Sequence, residues 1–430
     1  MRLELHSGLF VSDNSKECDK NTYFLSTKNS SKYIDDALEH NTKEIITPNE
    51  LKNMLGIDGI KVVGVTGTNG KTTTTAIIYS LLLDLGYKCA LSGTRGFFID
   101  GERIKGKSLT TVDVLENFSR IKEAKDRGCE FYITEVSSHA IAQERLEGID
   151  FSLKVLTNIT SDHLDYHKSI EEYRRVKNSF FEDESMKLVN KDDRYIRYNQ
   201  INAYTYGVED YGSFTIKAYE LTPFVGGVIC FGTQSAVFES SLIGKFNLYN
   251  LEAAIASVTL LVNKPLEDVC EAISGFGGVE GRAEVVNEKP LVIVDFAHTA
   301  DGIKEILESF AGRDIVALFG AGGDRDRSKR EKMGASASRY AKKLYITSDN
   351  PRSEDPKAIA QDIARGVSIE KEIILDRKSA INKALDELKE DEILLILGKG
   401  DEEYMEIKGK KIPFKDREVV KDYFQSRNMR

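Results

Sequence analysis

VVGVTGTNGKTTTTAIIYSLLLDLG, residues 62–86, decides how the rest of the chain is read. An apolar, β-branched run enters a Gly/Thr/Asn loop. The loop gives way to a helical pattern with apolar residues at Ile77, Ile78, Leu81, Leu82 and Leu85 before a C-capping Gly86. That order predicts a strand, a loop and a helix. Gly67 and Gly70 let backbone N–H groups approach an anion, and the helix N-terminus that follows favours negative charge. Lys71 reaches the β- and γ-phosphates of a nucleotide and Thr72 offers a hydroxyl to Mg²⁺. The strict G-x-x-x-x-G-K-[ST] spacing is not met, because five residues separate Gly64 from Gly70, so the loop is a variant. A glycine-rich turn with a solvated lysine is the plainer alternative.

The pattern continues on both sides of this unit. Downstream lie the apolar strands FYITEV (131–136) and LKVLTNI (153–159), each ending in polar residues, and then a helical stretch, EEYRRVKNSFFED (171–183). A parallel sheet is implied. Residues 187–245 alternate irregularly and carry glycine pairs, as in TPFVGGVICFG, which predicts hairpins before the helix NLYNLEAAIASVTLLV. From LVIVDFA (291–297) a second strand–helix series runs through DIVALFG, KLYITSD, EIILD and EILLILG, with helices expected from about 301 and near 329–342, 356–365 and 377–389. Upstream, residues 1–58 are polar with short apolar pieces. The expected fold is α/β in three domains. These are a small N-terminal α/β module (1–58), a central P-loop-type parallel-sheet nucleotide-binding domain (59–279) and a C-terminal Rossmann-like doubly wound domain (280–430). In such sheets ligands gather at the carboxyl ends of strands.

Composition narrows the function classes. A chain of 430 residues, 41% hydrophobic, is too long for one ordinary core. The 60 basic and 69 acidic residues are dispersed and give a net charge of -9, so no basic footprint for nucleic acid or a membrane surface is expected. Five widely spaced cysteines form neither zinc-type pairs nor an even disulfide framework. With no apolar leader and no run near 18 apolar residues, a cytoplasmic, soluble and monomeric protein is expected.

Several residues invite chemistry. Glu135 ends an apolar strand and is followed by Ser137, Ser138 and His139; beside a triphosphate it would make a second metal ligand, and alone it is equally a strand-end carboxylate meeting solvent. His163 likewise follows a strand, and His139, His167 and His298 sit in similar strand-end stretches. Taken singly, each histidine suits a structural hydrogen bond. Lys177 falls inside an apolar stripe of Tyr173, Val176, Phe180 and Phe181. A buried lysine loses charge, leaving an amine open to carbamylation by CO₂. The pattern alone favours a stem lying over apolar surface with the amine in water.

A set of motifs runs in order along the chain: GTNGKTTTT (67–75), EVSSH (135–139), TNITSDHLDYH (157–167), GKFNLYNLEAA (244–254), GRAEVV (281–286), VDFAHT (294–299), GGDRDRSKR (322–330), DNPR (349–352) and GKGDE (398–402). With these the chain resembles the Mur ligase family. The resemblance implies an ATP- and Mg²⁺-dependent ligase of peptidoglycan synthesis joining meso-diaminopimelate to UDP-N-acetylmuramoyl-L-alanyl-D-glutamate through an acyl phosphate. It also implies roles. Gly67, Thr68, Asn69, Gly70, Lys71, Thr72 and Thr73 would hold ATP phosphates, and Thr72, Glu135, His163 and Lys177, the last as a carbamate, would hold Mg²⁺. Asn247, Asn250, Arg282, Asp295 and His298 would make further ATP contacts. Ser15, Thr110, Thr111, Ser137, Gln143 and Arg145 would take the UDP-muramoyl dipeptide. Arg325, Asp349, Asn350, Pro351, Arg352, Gly398 and Glu402 would take diaminopimelate. Two departures stand out: a short N-terminal module, and Asp401 where the family usually has histidine. A lysine-adding ligase, a folylpolyglutamate synthase-like ligase and a P-loop switch are the competing readings.

Overall fold

The computed structural model describes residues 1–428 apart from Ser7 and Pro223. Its three largest sheets follow one another along the chain. The N-terminal sheet pairs Arg2–His6, Leu9–Ser12, Thr22–Leu25 and Glu44–Ile46 in chain order, with only the first pair antiparallel. Helix Pro48–Leu55 follows, started by a Thr47/Glu50 capping box with Pro48 in the first turn.

The central sheet has eight strands. Six are parallel, in the spatial order Ala203–Tyr206, Lys187–Asn190, Phe151–Leu156, Lys61–Thr66, Phe131–Val136 and Cys89–Gly93; Gly96–Ile99 and Glu102–Lys105 add an antiparallel edge. Lys61–Thr66 therefore lies between strands that come later in the chain on either side. The strand order reverses there, and the carboxyl ends of three strands open into one crevice. Helices Lys71–Asp84 and Lys245–Leu261 cover one face. Both are buried around most of their circumference and so carry little polar stripe.

One expectation is corrected here. Strands Lys187–Asn190 and Ala203–Tyr206 do not form hairpins but extend the parallel sheet. The antiparallel part is confined to Phe214–Glu220, Gly226–Phe231 and Gln234–Glu239. The Gly226/Gly227 pair has a packing reason, because a Cβ on Gly227 would come within 2.8 Å of the Ala218 carbonyl.

The C-terminal sheet orders its strands Glu284–Asn287, Leu291–Asp295, Ile393–Leu397, Ile315–Phe319, Lys343–Ile346 and Glu370–Ile373, all parallel except the first pair. Helices Ala300–Glu308, Ser328–Ala337 and Pro356–Arg365 pack on one face. Arg377–Glu387 and Asp416–Asn428 pack on the other. Under that second face Arg377 and Asp416, both sealed from solvent, pair bidentately at 2.7 Å. A hairpin absent from the sequence reading, Tyr404–Ile407 with Lys410–Pro413, is joined to Arg352 by a bridge at Ile407.

Candidate active site

The phosphate loop is built by close backbone approach. Gly70 caps helix Lys71–Asp84 at φ 84° with no side-chain cap, so the first-turn N–H groups stay open to an anion. A Cβ at Gly67 would meet Thr157 Oγ1 at 1.8 Å, and one at Gly70 would meet Asn250 Oδ1 at 2.4 Å. Only glycine fits either position. The loop is then stitched to the neighbouring strand end: Thr68 N donates to Asn158 O at 2.8 Å and Asn69 N to Asn158 Oδ1 at 3.0 Å. Lys71 Nζ folds back on the carbonyls of Gly67 and Thr68, both at 2.9 Å. Burial pushes its pKa below the usual lysine range, with Glu135 and Asp162 pulling the other way.

Thr72 Oγ1 donates to Glu135 Oε2 at 2.8 Å, and Thr94 N donates to Glu135 Oε1 at 2.9 Å. Glu135 is thus a buried strand-end carboxylate facing the loop, not one meeting solvent. His163 sits at φ 53° on the rim, its ring 4.8 Å from that of His139. Burial in the cleft pushes the His163 pKa down to about 4, against the pull of Asp162, which leaves a neutral imidazole at neutral pH. Among the described residues no cluster of three or more His, Cys, Asp or Glu forms a metal cage. A hydroxyl, one carboxylate and nucleotide phosphates are the hard oxygen donors that suit Mg²⁺, which keeps few protein ligands.

Lys177 resolves differently from its pattern. It is 1% exposed, and its amine ends inside the protein on Gly67 O at 2.8 Å and Thr66 Oγ1 at 3.3 Å. The stem does not reach water. Burial first and the nearby Lys71 charge second hold its pKa well below the lysine range, and the amine lies directly behind the phosphate loop.

Two clefts meet in front of these groups. One, of about 310 Å³, is lined by Thr68–Thr73, Thr94, Glu135, Asn250, Arg282, Asp295 and Glu305. Asn247 stands behind it, receiving Asn250 Nδ2 on its Oδ1 at 3.0 Å. The other, of about 680 Å³, is lined by Thr110, Thr111, Ser137 and Arg145 on one wall and by Arg325, Asp349, Asn350, Arg352, Gly398 and Glu402 on the opposite wall. Asp162, His163, Phe296 and His298 belong to both. Burial lowers the His298 pKa, and its Nδ1 lies 3.0 Å from Phe296 O.

On the far wall Arg352 adopts φ 51°, its Nε 3.2 Å from Glu406 Oε2 and its guanidinium donating to Gly323 O at 2.6 Å. Asn350 Nδ2 donates to Glu402 Oε2 at 2.8 Å. A Cβ on Gly398 would meet Asp349 Oδ2 at 2.8 Å, so the strand end closes tightly over that carboxylate. Asp401 reaches across to the central domain, where Lys107 Nζ lies 2.9 Å from its Oδ2.

Six of the expected contact residues do not line either cleft: Gly67, Lys177 and Asn247 stand behind the walls just described, and three others are placed elsewhere. Ser15 is buried in the short turn Ser15–Glu17 of the N-terminal module. Gln143 is engaged by Tyr166 and Arg145. Pro351 turns its carbonyl onto Gly323, where a Cβ would come within 2.0 Å. Conversely Thr94, Asp162, Lys399 and Glu406 join the site without having been singled out. Thr94 and Asp162 carried the same strand-end signal as Glu135 and His163. Glu406 carried none.

The chain is similar to known proteins in both sequence and fold. Residues 65–258 match the Mur ligase middle domain and residues 281–400 the Mur ligase, glutamate ligase domain. The chain is 54% identical over 413 residues to the UDP-N-acetylmuramoyl-L-alanyl-D-glutamate--2,6-diaminopimelate ligase of Wolinella succinogenes, covering 96% of this chain and 95% of that protein. It is 50% identical to the protein of that name from Helicobacter pylori, covering 97% and 96%. A solved structure of a ligase of that name superposes with a TM-score of 0.69 at 28% identity, over 97% of this chain and 95% of the other. Escherichia coli FolC in complex with DHPP and ADP shares the fold at a TM-score of 0.67 and 17% identity, over 94% and 99%. The two domain matches and the extent of these identities establish that the chain belongs to the Mur ligase family.

Proposed function

We propose that the chain is an ATP-dependent ligase that joins meso-2,6-diaminopimelate to UDP-N-acetylmuramoyl-L-alanyl-D-glutamate during peptidoglycan synthesis. The observation that carries this reading is the wall common to the two clefts. The phosphate loop opens into one cleft and the Asp349–Arg352 turn into the other, and Asp162, His163 and His298 border both. A phosphoryl group delivered on one side thus meets an amine delivered on the other.

The residues have separable tasks. Lys71 and the open N–H groups after Gly70 would bind and orient the nucleotide phosphates, supplying positive charge where it develops during transfer. Thr72, Glu135 and His163, with Lys177 as a carbamate, would hold Mg²⁺, which neutralises phosphate charge when bound. Thr110, Thr111, Ser137 and Arg145 would seat the acceptor carboxylate on the near wall. The γ-phosphoryl group passes to that carboxylate, the amine of the amino acid attacks the acyl phosphate, and phosphate leaves. Arg325 and Arg352 would receive the far carboxylate of diaminopimelate, the planar guanidinium fork matching it bidentately. The nucleotide substrates and the free cysteines suit a cytoplasmic enzyme, and no helix among the described residues is long and apolar enough to cross a membrane. The wall built by the chain itself suits a monomer.

ADP release from ATP, Mg²⁺ and the UDP-muramoyl dipeptide, run against a panel of amino acids, tests this. Turnover with meso-diaminopimelate far above that with L-lysine is expected, because a site built for a charged partner rejects the analogue lacking it. Equal kcat/KM for the two would move the assignment to a lysine-adding ligase. Turnover with neither would overturn it.

A further inference from the structure

Lys399 stands inside the GKGDE loop without a role in the reading above. It is 0% exposed, and its ammonium lies 2.6 Å from Glu402 Oε2, 3.2 Å from Asn350 Oδ1 and 4.0 Å from Asp349 Oδ1. It cannot swing out. Gly398 at φ 105° and Gly400 at φ 52° form a turn pressed against the protein, where a Cβ on Gly400 would meet Gly281 O at 2.6 Å and Phe296 Cβ at 2.8 Å.

The hydrogen bonds on Glu402 are one-sided. Oε2 receives both Lys399 Nζ and Asn350 Nδ2, while among the described residues Oε1 accepts none, and Glu402 borders the larger cleft. Asn350 is fixed in turn by Glu406 N, which donates to its Oδ1 at 2.8 Å. The carboxylate is clamped by one oxygen and offers the other. Formal charge points the same way, since Asp349 and Glu402 share one lysine and the cluster is left with one negative charge facing the cleft.

We propose that Lys399 is a positioning residue for the amino-acid substrate. By gripping Glu402 Oε2 it aims Oε1 at an ammonium group, and by neutralising only one of two carboxylates it leaves the charge that an ammonium completes. This rests on the amino-acid assignment of the larger cleft under Proposed function. Lys399 acts through Glu402 and touches no reacting atom.

The test is a double-mutant cycle, since residues that act through one another give non-additive losses. Lys399→Met, Glu402→Gln and the double variant are assayed with the amino acid that the wild-type chain turns over. If the wild type turns over none, Proposed function fails; a loss confined to the variants concerns Lys399. Lys399→Met is expected to raise KM for the amino acid on the order of 10-fold to 10²-fold, as loss of a supporting contact to a binding group does. KM for ATP and for the UDP-muramoyl dipeptide should stay within about two-fold. The double variant should be no worse than Glu402→Gln. Should Lys399→Met not fold, Lys399→Gln, which keeps a donor in the same space, should give a smaller rise of the same selective kind. Additive losses in the cycle, an equal rise in all three KM values, or an unchanged amino-acid KM in the folded variant would each overturn the proposal.

Discussion

Lys177 and Lys399 are both shut away from solvent, 1% and 0% exposed, yet they are held by opposite means. Lys399, in the C-terminal domain, lies against carboxylates and an amide. Lys177, behind the phosphate loop, meets a carbonyl and a hydroxyl and has another lysine as its largest charge influence. A buried lysine with a carboxylate partner pairs with it and organises it. One without such a partner is pushed toward its neutral form, in which an amine is a nucleophile. On the roles proposed above, the same residue type would serve binding in one domain and covalent modification in the other, with the environment selecting which.

The largest effect should come from breaking the first member of this pair. Lys177→Met is expected to lower kcat on the order of 10³-fold, the loss associated with removing a fixed charge-stabilising group at the transferring phosphoryl. It should also raise the melting temperature, since a methionine in that apolar stripe needs no proton balance. The sign is set by linkage. The unfolded lysine binds a proton below its pKa of about 10.4 while the buried one resists it, so the wild type loses stability as pH falls below that value. The advantage of Lys177→Met in Tm should accordingly grow between alkaline and neutral pH. A variant that is fully active, or whose Tm gain shrinks as pH falls, breaks the comparison.

Arg352→Ala comes next. It should cut the preference for meso-diaminopimelate over L-lysine on the order of 10²-fold, as loss of one member of a desolvated charge pair does, with KM for ATP unmoved. An unchanged preference would transfer recognition of the far carboxylate to Arg325.

Smallest is the bridge between domains. Lys107→Ala removes a partly exposed ion pair with Asp401 and should lower kcat/KM by less than about five-fold at low salt, and less again at high salt, where the wild-type pair is itself screened. Exchanging the two charges, Lys107→Asp with Asp401→Lys, should restore the loss. A salt-independent loss would show that the pair does not tie the domains together electrostatically.

How far the sequence could be read follows from range. The strand, loop and helix of residues 62–86 were legible because glycine positions and helical spacing are local properties. The buried state of Lys177 was not, because the group that receives its amine, Gly67 O, lies 110 positions away. An apolar stripe does not tell a lysine sealed by a neighbouring loop from one that reaches water. Lys187–Asn190 and Ala203–Tyr206 failed for a related reason, since short strands with irregular alternation look alike whether they pair in a hairpin or in parallel with distant strands. The hairpin carrying Glu406 was missed because its two-residue turn is Lys408-Gly409, at φ 48° and 75°, where Asn-Gly or Asp-Gly is the usual signal.

The wall common to the two clefts has a consequence for inhibition. Fragments fitting spaces of about 310 and 680 Å³ need to cross a seam formed by Thr110, Asp162, His163, Phe296, His298 and Thr299 to become one molecule. A tether over so short a seam makes the second contact intramolecular, and with a well-matched linker the joined affinity can exceed either fragment's by about 10²-fold to 10⁴-fold. Its chemistry is prescribed by what it passes over: a flat apolar segment against Phe296, and a hydrogen-bond donor at Asp162, whose carboxyl stays below the usual carboxylate range against the opposing effect of burial and accepts the His163 backbone N–H at 2.8 Å. A bisubstrate compound built to that outline would compete with nucleotide and amino acid together, so raising the concentration of either one alone would relieve its grip only in part.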